Sequence, residues 1–314
     1  MSDVYVHSRV LMDTVISIQV IGHGATAAKR AERAAQVDRA IGWFQAIESS
    51  CSRFDPTSEL SQLSTRIGTS VRVSPLLFEA VRYALAVATE TDGAFDPTIG
   101  ALMTAHGFNR DYRTGQRVTT VPNAAGLVSF RDVMLDSAEH TITLSRPMLL
   151  DLGAVVKGLA IDLAARELQA LGNFAIDAGG DLYLGGHNQD GEPWSVAIRH
   201  PRIPGVSIAR LQVTDRAVCT SGDYERKSAD DGDVHHLMDP RTGGSATSAI
   251  SATVVASSAM VADALGTAAF VLGPGAGLDL LQRCGVEGLI VTPSLEPFST
   301  SGFSALSSPA AVSA

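Results

Sequence analysis

Apolar positions recur every three or four residues from Thr26 to Ser50. Ala34, Val37, Ile41, Phe44 and Ile47 form one stripe, a spacing that predicts a helix. Before it, Val10 to Val20 alternates and is rich in β-branched residues, which predicts a strand. Ser74-Pro75 reads as an N-cap followed by proline at the first helical position, opening a helix to about Thr91 that stops before Gly93. Met148 to Leu152 predicts a buried strand, followed by a helix from about Val155 to Leu171 with Gly172 as its stop. Short strands follow around Ala175, Trp194 to Ile198 and Ala209 to Thr214. Ser257 or Ser258 caps a helix from Ala259 to Leu272, ended by Gly273-Pro274-Gly275. A last helix to Gln282 and a strand from Gly288 to Val291 complete the order. Leu102 to about Ser129 is polar and loop-rich, an excursion over a binding cleft. Strands and helices mix without a βαβ rhythm, so the fold class is α+β, a single domain over 1–304 with a loose tail over 305–314.

The chain has 314 residues, enough for a large core, with 45% hydrophobic and 18% charged residues. Its net charge of −9, from 24 basic and 33 acidic residues, argues against nucleic acid or anionic lipid as a partner. An anionic ligand therefore needs local help from a metal or from helix N-termini. Cys51, Cys219 and Cys284 are far apart and match no zinc or redox spacing, which predicts reduced, mostly buried thiols. No apolar run reaches membrane length, and the first residues carry no basic-then-apolar leader, so a cytoplasmic protein without a membrane anchor is expected.

The densest chemistry lies in His235-His236-Leu237-Met238-Asp239-Pro240-Arg241-Thr242-Gly243, a turn carrying two imidazoles, a carboxylate and a guanidinium. It reads either as a solvated turn with a core histidine or as part of a reactive site. Asp151 to Gly158 joins a predicted strand to a helix. Lys157 there stands in the first turn, against the preference of the helix dipole, and suits a phosphate. Asp177-Ala-Gly179-Gly180-Asp181 permits a close backbone approach to a ligand, or is an ordinary turn. Asp263 and Thr267 share one face of an otherwise apolar helix, a hard-oxygen pair suited to Mg2+. Gly93-Ala94-Phe95-Asp96-Pro97 and Thr220-Ser221-Gly222-Asp223-Tyr224 each pair an acid with an aromatic.

Taken in order with Met12-Asp13-Thr14 and the run from Ser52-Arg53-Phe54 to Ser58-Glu59-Leu60, these segments resemble the ApbE family, the FAD:protein FMN transferases. The resemblance covers about residues 10 to 303. It implies an α+β fold of mixed sheets and flanking helices around a cleft holding extended FAD. It implies Mg2+ on Asp263, Thr267 and the carbonyl of Ala154, and flavin or adenosine contacts at Met12, Phe54, Ala94, Phe95, Asp96, Asp151, Lys157 and Leu237. Gly179, Gly180, Ser221 and Arg241 are expected to bind FAD as well. Two positions depart from the family: Phe54 stands where many relatives have tyrosine, and His106 where many have tryptophan.

The expected reaction is attack of a threonine or serine hydroxyl of an acceptor flavoprotein on the FMN phosphorus of FAD, releasing AMP. The acceptor carries a Ser/Thr-Gly-Ala-Thr-like motif. Lys157 supplies charge, and His236 is the expected base because imidazole titrates near neutrality. Two rival readings stand beside it: a Mg-dependent FAD pyrophosphatase yielding FMN and AMP, which the same residues would serve, and a flavin-binding carrier without activity, against which the Asp263/Thr267 pair and His236 count. Gly24-Ala25-Thr26 matches the end of the acceptor motif, but Thr26 is read as a helix N-cap rather than a modification site.

Overall fold

A computed structural model describes residues 2–23, 26–118, 127–228 and 230–308. The chain divides into two compact units. The first comprises 1–44, 157–222 and 248–314, and the second 45–156 and 223–247.

The first unit is built on an eight-stranded sheet. Its order is Ser2–Leu11, Thr14–His23, Phe174–Ala178, Asp181–Gly185, Arg216–Gly222, Ser251–Ala256, Glu287–Val291 and Pro297–Ser299. The segment Val10 to Val20, expected as one strand, is instead a hairpin that reverses at Met12 and Asp13, with φ of 53° and 62°. Two consecutive positive φ values match the twist of a two-residue hairpin turn, which alternation of side chains alone does not reveal. The Ala259–Leu272 helix packs across the two central strands Arg216–Gly222 and Ser251–Ala256. All six residues of Ser251–Ala256 are buried, as befits a strand covered on both faces. On one face, Trp194–Arg199, Ser207–Val213 and Ser307–Ser308 form a second sheet. Leu211, Val213, Val218, Val255, Leu289 and Phe303 make the core there.

In the second unit the Pro75–Glu90 helix starts where expected. Ser74 Oγ accepts from Leu77 N at 3.3 Å, and the left-handed Gly93 (φ 80°) follows its end. Three short strands, Val71–Arg72, Thr141–Leu144 and Val133–Asp136, pair in that order into a small antiparallel sheet. In the segment Met148 to Leu152, Met148, Leu150 and Leu152 are buried, but it forms no strand. Its one pairing is an isolated bridge between Leu149 and Ile99, and the following helix begins at Gly153. The expected loop from Leu102 overlaps a short helix, Gly100–Ala105, and 119–126 within it lie outside the described residues.

The α+β class holds, and every ladder among the named strands is antiparallel. Structure continues past Ala305 through Ser307–Ser308, which pairs with Leu211 and Arg210, whereas 309–314 lie outside the described residues. So do Gly24 and Ala25. Thr26 is described, and its Oγ1 accepts from Lys29 N at 3.4 Å, as an N-cap does. No helix among the described residues is long and apolar enough to cross a membrane.

Candidate active site

Of the sixteen residues singled out by sequence, seven fall in the first unit: Met12, Lys157, Gly179, Gly180, Ser221, Asp263 and Thr267. Four of these sit in one polar cluster at the centre of the large sheet. Lys157 Nζ forms an ion pair with Asp181 Oδ2, and Asp181 is 3% exposed. Burial works against the charge on Lys157. The carboxylates of Asp181 and Asp263 prevail and hold its pKa above the ordinary 10.5, so it is a fixed cation at neutral pH. The other oxygen of Asp181 accepts from Thr220 N at 3.0 Å, which ties the ion pair to the backbone of the neighbouring strand. Asp263, 7% exposed, accepts from Gly158 N at 3.2 Å. One turn further along its helix, Thr267 Oγ1 lies 3.2 Å from Ser221 Oγ. Cys219, beside the same charges, is kept protonated by burial, which pushes its thiol well above the usual range.

This donor set fits magnesium. It offers one buried carboxylate and one hydroxyl, Asp263 and Thr267, on a single helix face, with the Ser221 hydroxyl on a neighbouring strand and a fixed cation alongside. Mg2+ is ordinarily held by one or two carboxylates, waters and substrate phosphates rather than by a closed protein cage. No group of three His, Cys, Asp or Glu gathers among the described residues, so a closed cage is not what these residues build. Ala154, whose carbonyl was expected as a ligand, lies in the first turn of the Gly153–Leu168 helix, three residues before Lys157.

Glycines set the approach to this cluster. Gly179 has φ 67°, and a Cβ on it would fall 2.1 Å from Thr14 Oγ1, so the turn packs directly on the hairpin that carries Met12. Gly180 (φ 95°) donates its N–H to Asp177 Oδ1 at 2.8 Å. A Cβ on Gly158 would lie 2.5 Å from Ala259 O, so this glycine lets two helices touch. Asp162, which sequence reasoning missed, accepts from Ser258 Oγ and from the N–H groups of Ala259 and Met260 at 2.6–3.0 Å. It seats the start of the helix bearing Asp263 and Thr267. An acid within the apolar run from Gly158 to Ala165 was the available signal.

The other nine candidates belong to the second unit: Phe54, Ala94, Phe95, Asp96, Asp151, Ala154, His236, Leu237 and Arg241. The two neighbouring histidines divide their roles. His235 is buried. Leu237 N donates to its Nδ1 at 3.3 Å, so its Nε2–H donates to Ala246 O at 3.0 Å, which makes it a structural residue in a defined tautomer. His236 is partly exposed and rests edge-on against Phe108, with ring centroids 6.4 Å apart. Its Nδ1–H donates to Arg226 O at 3.3 Å, which makes Nε2 the basic nitrogen of the neutral ring. The turn beyond it is closed by a fork in which Arg241 Nε and Nη2 each donate to Asp239 at 2.8 Å. His106, at a departing position, supports this turn by donating from Nε2 to Gly243 O at 2.9 Å.

Asp151 pairs with Arg53 at 2.7 Å and caps the Gly153–Leu168 helix by accepting from Gly153 N at 2.9 Å. Arg53 also lies 4.2 Å over the ring of Phe54 and donates to Phe108 O. Its part was not foreseen, although it stands inside a recognised segment. Arg53, Phe54, Arg113, Arg117, Leu149 and Leu150 are among the residues lining a cavity of about 510 Å3. Ala94, Phe95 and Leu237 bury their side chains, and their backbone N–H groups donate to Thr91 O, Thr91 Oγ1 and His235 Nδ1 respectively. Asp96 is buried too. Burial raises its pKa, opposed by hydrogen bonds from the Thr98 N–H and hydroxyl and from Phe130 N.

A model of the ApbE family matches residues 12–290 of this chain. A relative from Vibrio cholerae, named FAD:protein FMN transferase, is 29% identical over 274 residues, covering 84% of this chain and 80% of the relative. One of the same name from Treponema pallidum is 34% identical over 257 residues, covering 75% and 71%. The crystal structure of the ApbE protein of Thermotoga maritima superposes with a TM-score of 0.84 at 27% identity, covering 98% of this chain and all of that one.

Proposed function

The chain belongs to the ApbE family, and on that premise we propose that it transfers FMN from FAD to a threonine or serine hydroxyl of an acceptor flavoprotein, releasing AMP. The observation that carries the reading is the Lys157–Asp181–Asp263 cluster: a half-buried, permanently charged lysine beside a carboxylate suited to magnesium. Such a cluster serves phosphoryl chemistry, in which the protein mainly positions groups and neutralises charge. Curated relatives bearing the name FAD:protein FMN transferase support the same reading.

In this account the acceptor oxygen forms a bond to the FMN phosphorus, and the bond from that phosphorus to the bridging oxygen of AMP breaks. The hydroxyl proton passes to His236 Nε2, the ring nitrogen that the Nδ1–H bond to Arg226 O leaves as acceptor. Lys157, held by Asp181, offsets charge on the pyrophosphate. Asp263 and Thr267, with the carbonyl of Ala154, would hold Mg2+, which supplies Lewis-acid neutralisation of the phosphate oxygens. Phe54 offers a ring face to a flat heterocycle at the 510 Å3 cavity, without the hydroxyl a tyrosine would add. The acceptor carries a Ser/Thr-Gly-Ala-Thr-like motif. A reducing, cytoplasmic setting is supported by three cysteines outside any disulfide among the described residues, of which the Cys51 thiol is pushed up to about 12 by burial. The test is whether AMP release from FAD requires Mg2+ and is matched by FMN bound covalently to an acceptor domain.

A further inference from the structure

The Ser2–Leu11 strand forms an outer edge of the eight-stranded sheet. It pairs residue for residue with Thr14–His23, from Ser2 opposite His23 to Leu11 opposite Thr14. Among the described residues its other side is an unpaired ladder of backbone N–H and C=O groups. Proteins ordinarily blunt such an edge with proline, lysine, a bulge or a covering segment. The run Asp3-Val4-Tyr5-Val6-His7-Ser8-Arg9-Val10 contains neither proline nor lysine, and its pairing has no bulge.

The two faces of this strand differ. Odd positions turn toward the first helix, where Asp3 meets Arg30 at 3.2 Å and Arg33 at 3.6 Å, and His7 lies 3.6 Å from Asp38. Even positions present apolar side chains to solvent: Val4, Val6 and Val10 are 38%, 56% and 64% exposed, and Val15, opposite Val10, is 55% exposed. An apolar stripe flanking an open edge is the mark of a surface that another strand covers.

We infer that this edge is an isologous interface with a second copy of the chain, the Ser2–Leu11 strand pairing antiparallel with its own counterpart about a dyad at Val6. A two-fold axis normal to the sheet keeps both valine stripes on one side and must pass through a residue of the strand or between paired residues of like face. At Val6 it sets Asp3 opposite the partner's Arg9 twice, Tyr5 opposite the partner's His7, and Val6 against the partner's Val6. Moved to Tyr5, it sets Asp3 against the partner's His7 and leaves Arg9 without an acid. Moved to His7, it sets the two His7 rings against each other. Arg9 is exposed, and no acid of its own chain pairs with it among the described residues. The charge pattern of the strand therefore complements itself at one register, and two eight-stranded sheets become one.

Sedimentation of the full chain across a dilution series, together with cysteine cross-linking, tests this. Cross-linking is done in a Cys284→Ser background, because Cys284 is the exposed thiol whereas Cys51 and Cys219 are buried. The expected wild-type species has twice the 32.8 kDa chain mass. Val6→Lys, at an exposed position, dissociates it while circular dichroism stays unchanged. Under mild oxidant, Val6→Cys forms a covalent dimer much faster than Val10→Cys. A species of 32.8 kDa at every concentration overturns the inference, as does a dimer indifferent to Val6→Lys, or cross-linking as fast at position 10 as at position 6.

Discussion

Lys157 and Asp181 form an ion pair in which the acid is nearly sealed from solvent and the base is not, with side-chain exposures of 4% and 26%. The pair also bridges two elements, since Asp181 is held by Thr220 N on a neighbouring strand. The aspartate thus fixes where the lysine charge sits. Asp181→Asn keeps the shape but removes the anchor, and kcat for transfer is expected to fall by about 10²-fold, the scale of a misplaced catalytic group, with little change in KM for FAD. Lys157→Ala instead strands a buried carboxylate and should cost about 3 kcal/mol of stability. Adding Asp181→Asn to it should recover much of that loss, as urea unfolding of the two single variants and the double variant would show.

His236→Ala is expected to lower turnover by about 10²–10⁴-fold, the range for losing a general base, while FAD affinity changes little. His235→Ala should behave differently. It removes a buried ring bonded to Ala246 O and Leu237 N, so it lowers thermal stability before it touches the chemistry. Stopped-flow turnover at saturating FAD, with a melting curve for each variant, separates the two.

Magnesium dependence rests on Asp263. Mg2+ together with FAD should raise the melting temperature of the wild type, because a ligand bound to the folded state stabilises it. Asp263→Asn, which retains an acceptor for Gly158 N, should abolish both that shift and AMP release. A full Mg2+-dependent shift in the variant would remove Asp263 from the metal site.

The Asp239–Arg241 fork sets a pH dependence with a definite sign. Burial raises the pKa of Asp239, but the bonds from Arg241 outweigh it and hold it below the ordinary 3.8. A lowered carboxylate pKa contributes stability that is present above the unfolded value and is lost as pH falls through the folded one. Arg241→Ala should therefore be less stable than wild type at pH 7, and the difference should shrink as pH falls below about 3.8. Urea midpoints measured against pH would check it.

Gly179→Ala should destabilise by about 1–3 kcal/mol, combining a left-handed backbone with a Cβ set 2.1 Å from Thr14 Oγ1. Gly180→Ala carries the backbone strain at φ 95° without a steric clash, and should be the milder of the two by thermal melting.

The sequence made local chemistry legible and non-local pairing much less so. Ser74 and Ser258 cap helices where a hydroxyl before an apolar-periodic run predicts it, because that signal lies within four residues. The Met12–Asp13 turn escaped because Met12 is not a usual left-handed residue and Asp13 alone is a weak turn signal, so only the paired strand reveals the reversal. Met148 to Leu152 misled because an apolar run reports burial, not pairing. In the site, Lys157, Asp263 and Thr267 stood out as polar residues in apolar helices. Asp162 and Arg53 did not, and Asp181 was legible only as the end of a glycine turn, since their importance lies in partners 24 to 98 residues away in sequence.

The most direct test of the central claim is a single incubation of the protein with FAD, Mg2+ and an acceptor domain bearing the Ser/Thr-Gly-Ala-Thr-like motif, followed by intact-mass analysis and AMP quantification. The account predicts one FMN added per acceptor, on the motif hydroxyl, with AMP released in equal amount and none formed without Mg2+. AMP and free FMN appearing while the acceptor mass stays unchanged would contradict it, and would make the protein an FAD pyrophosphatase.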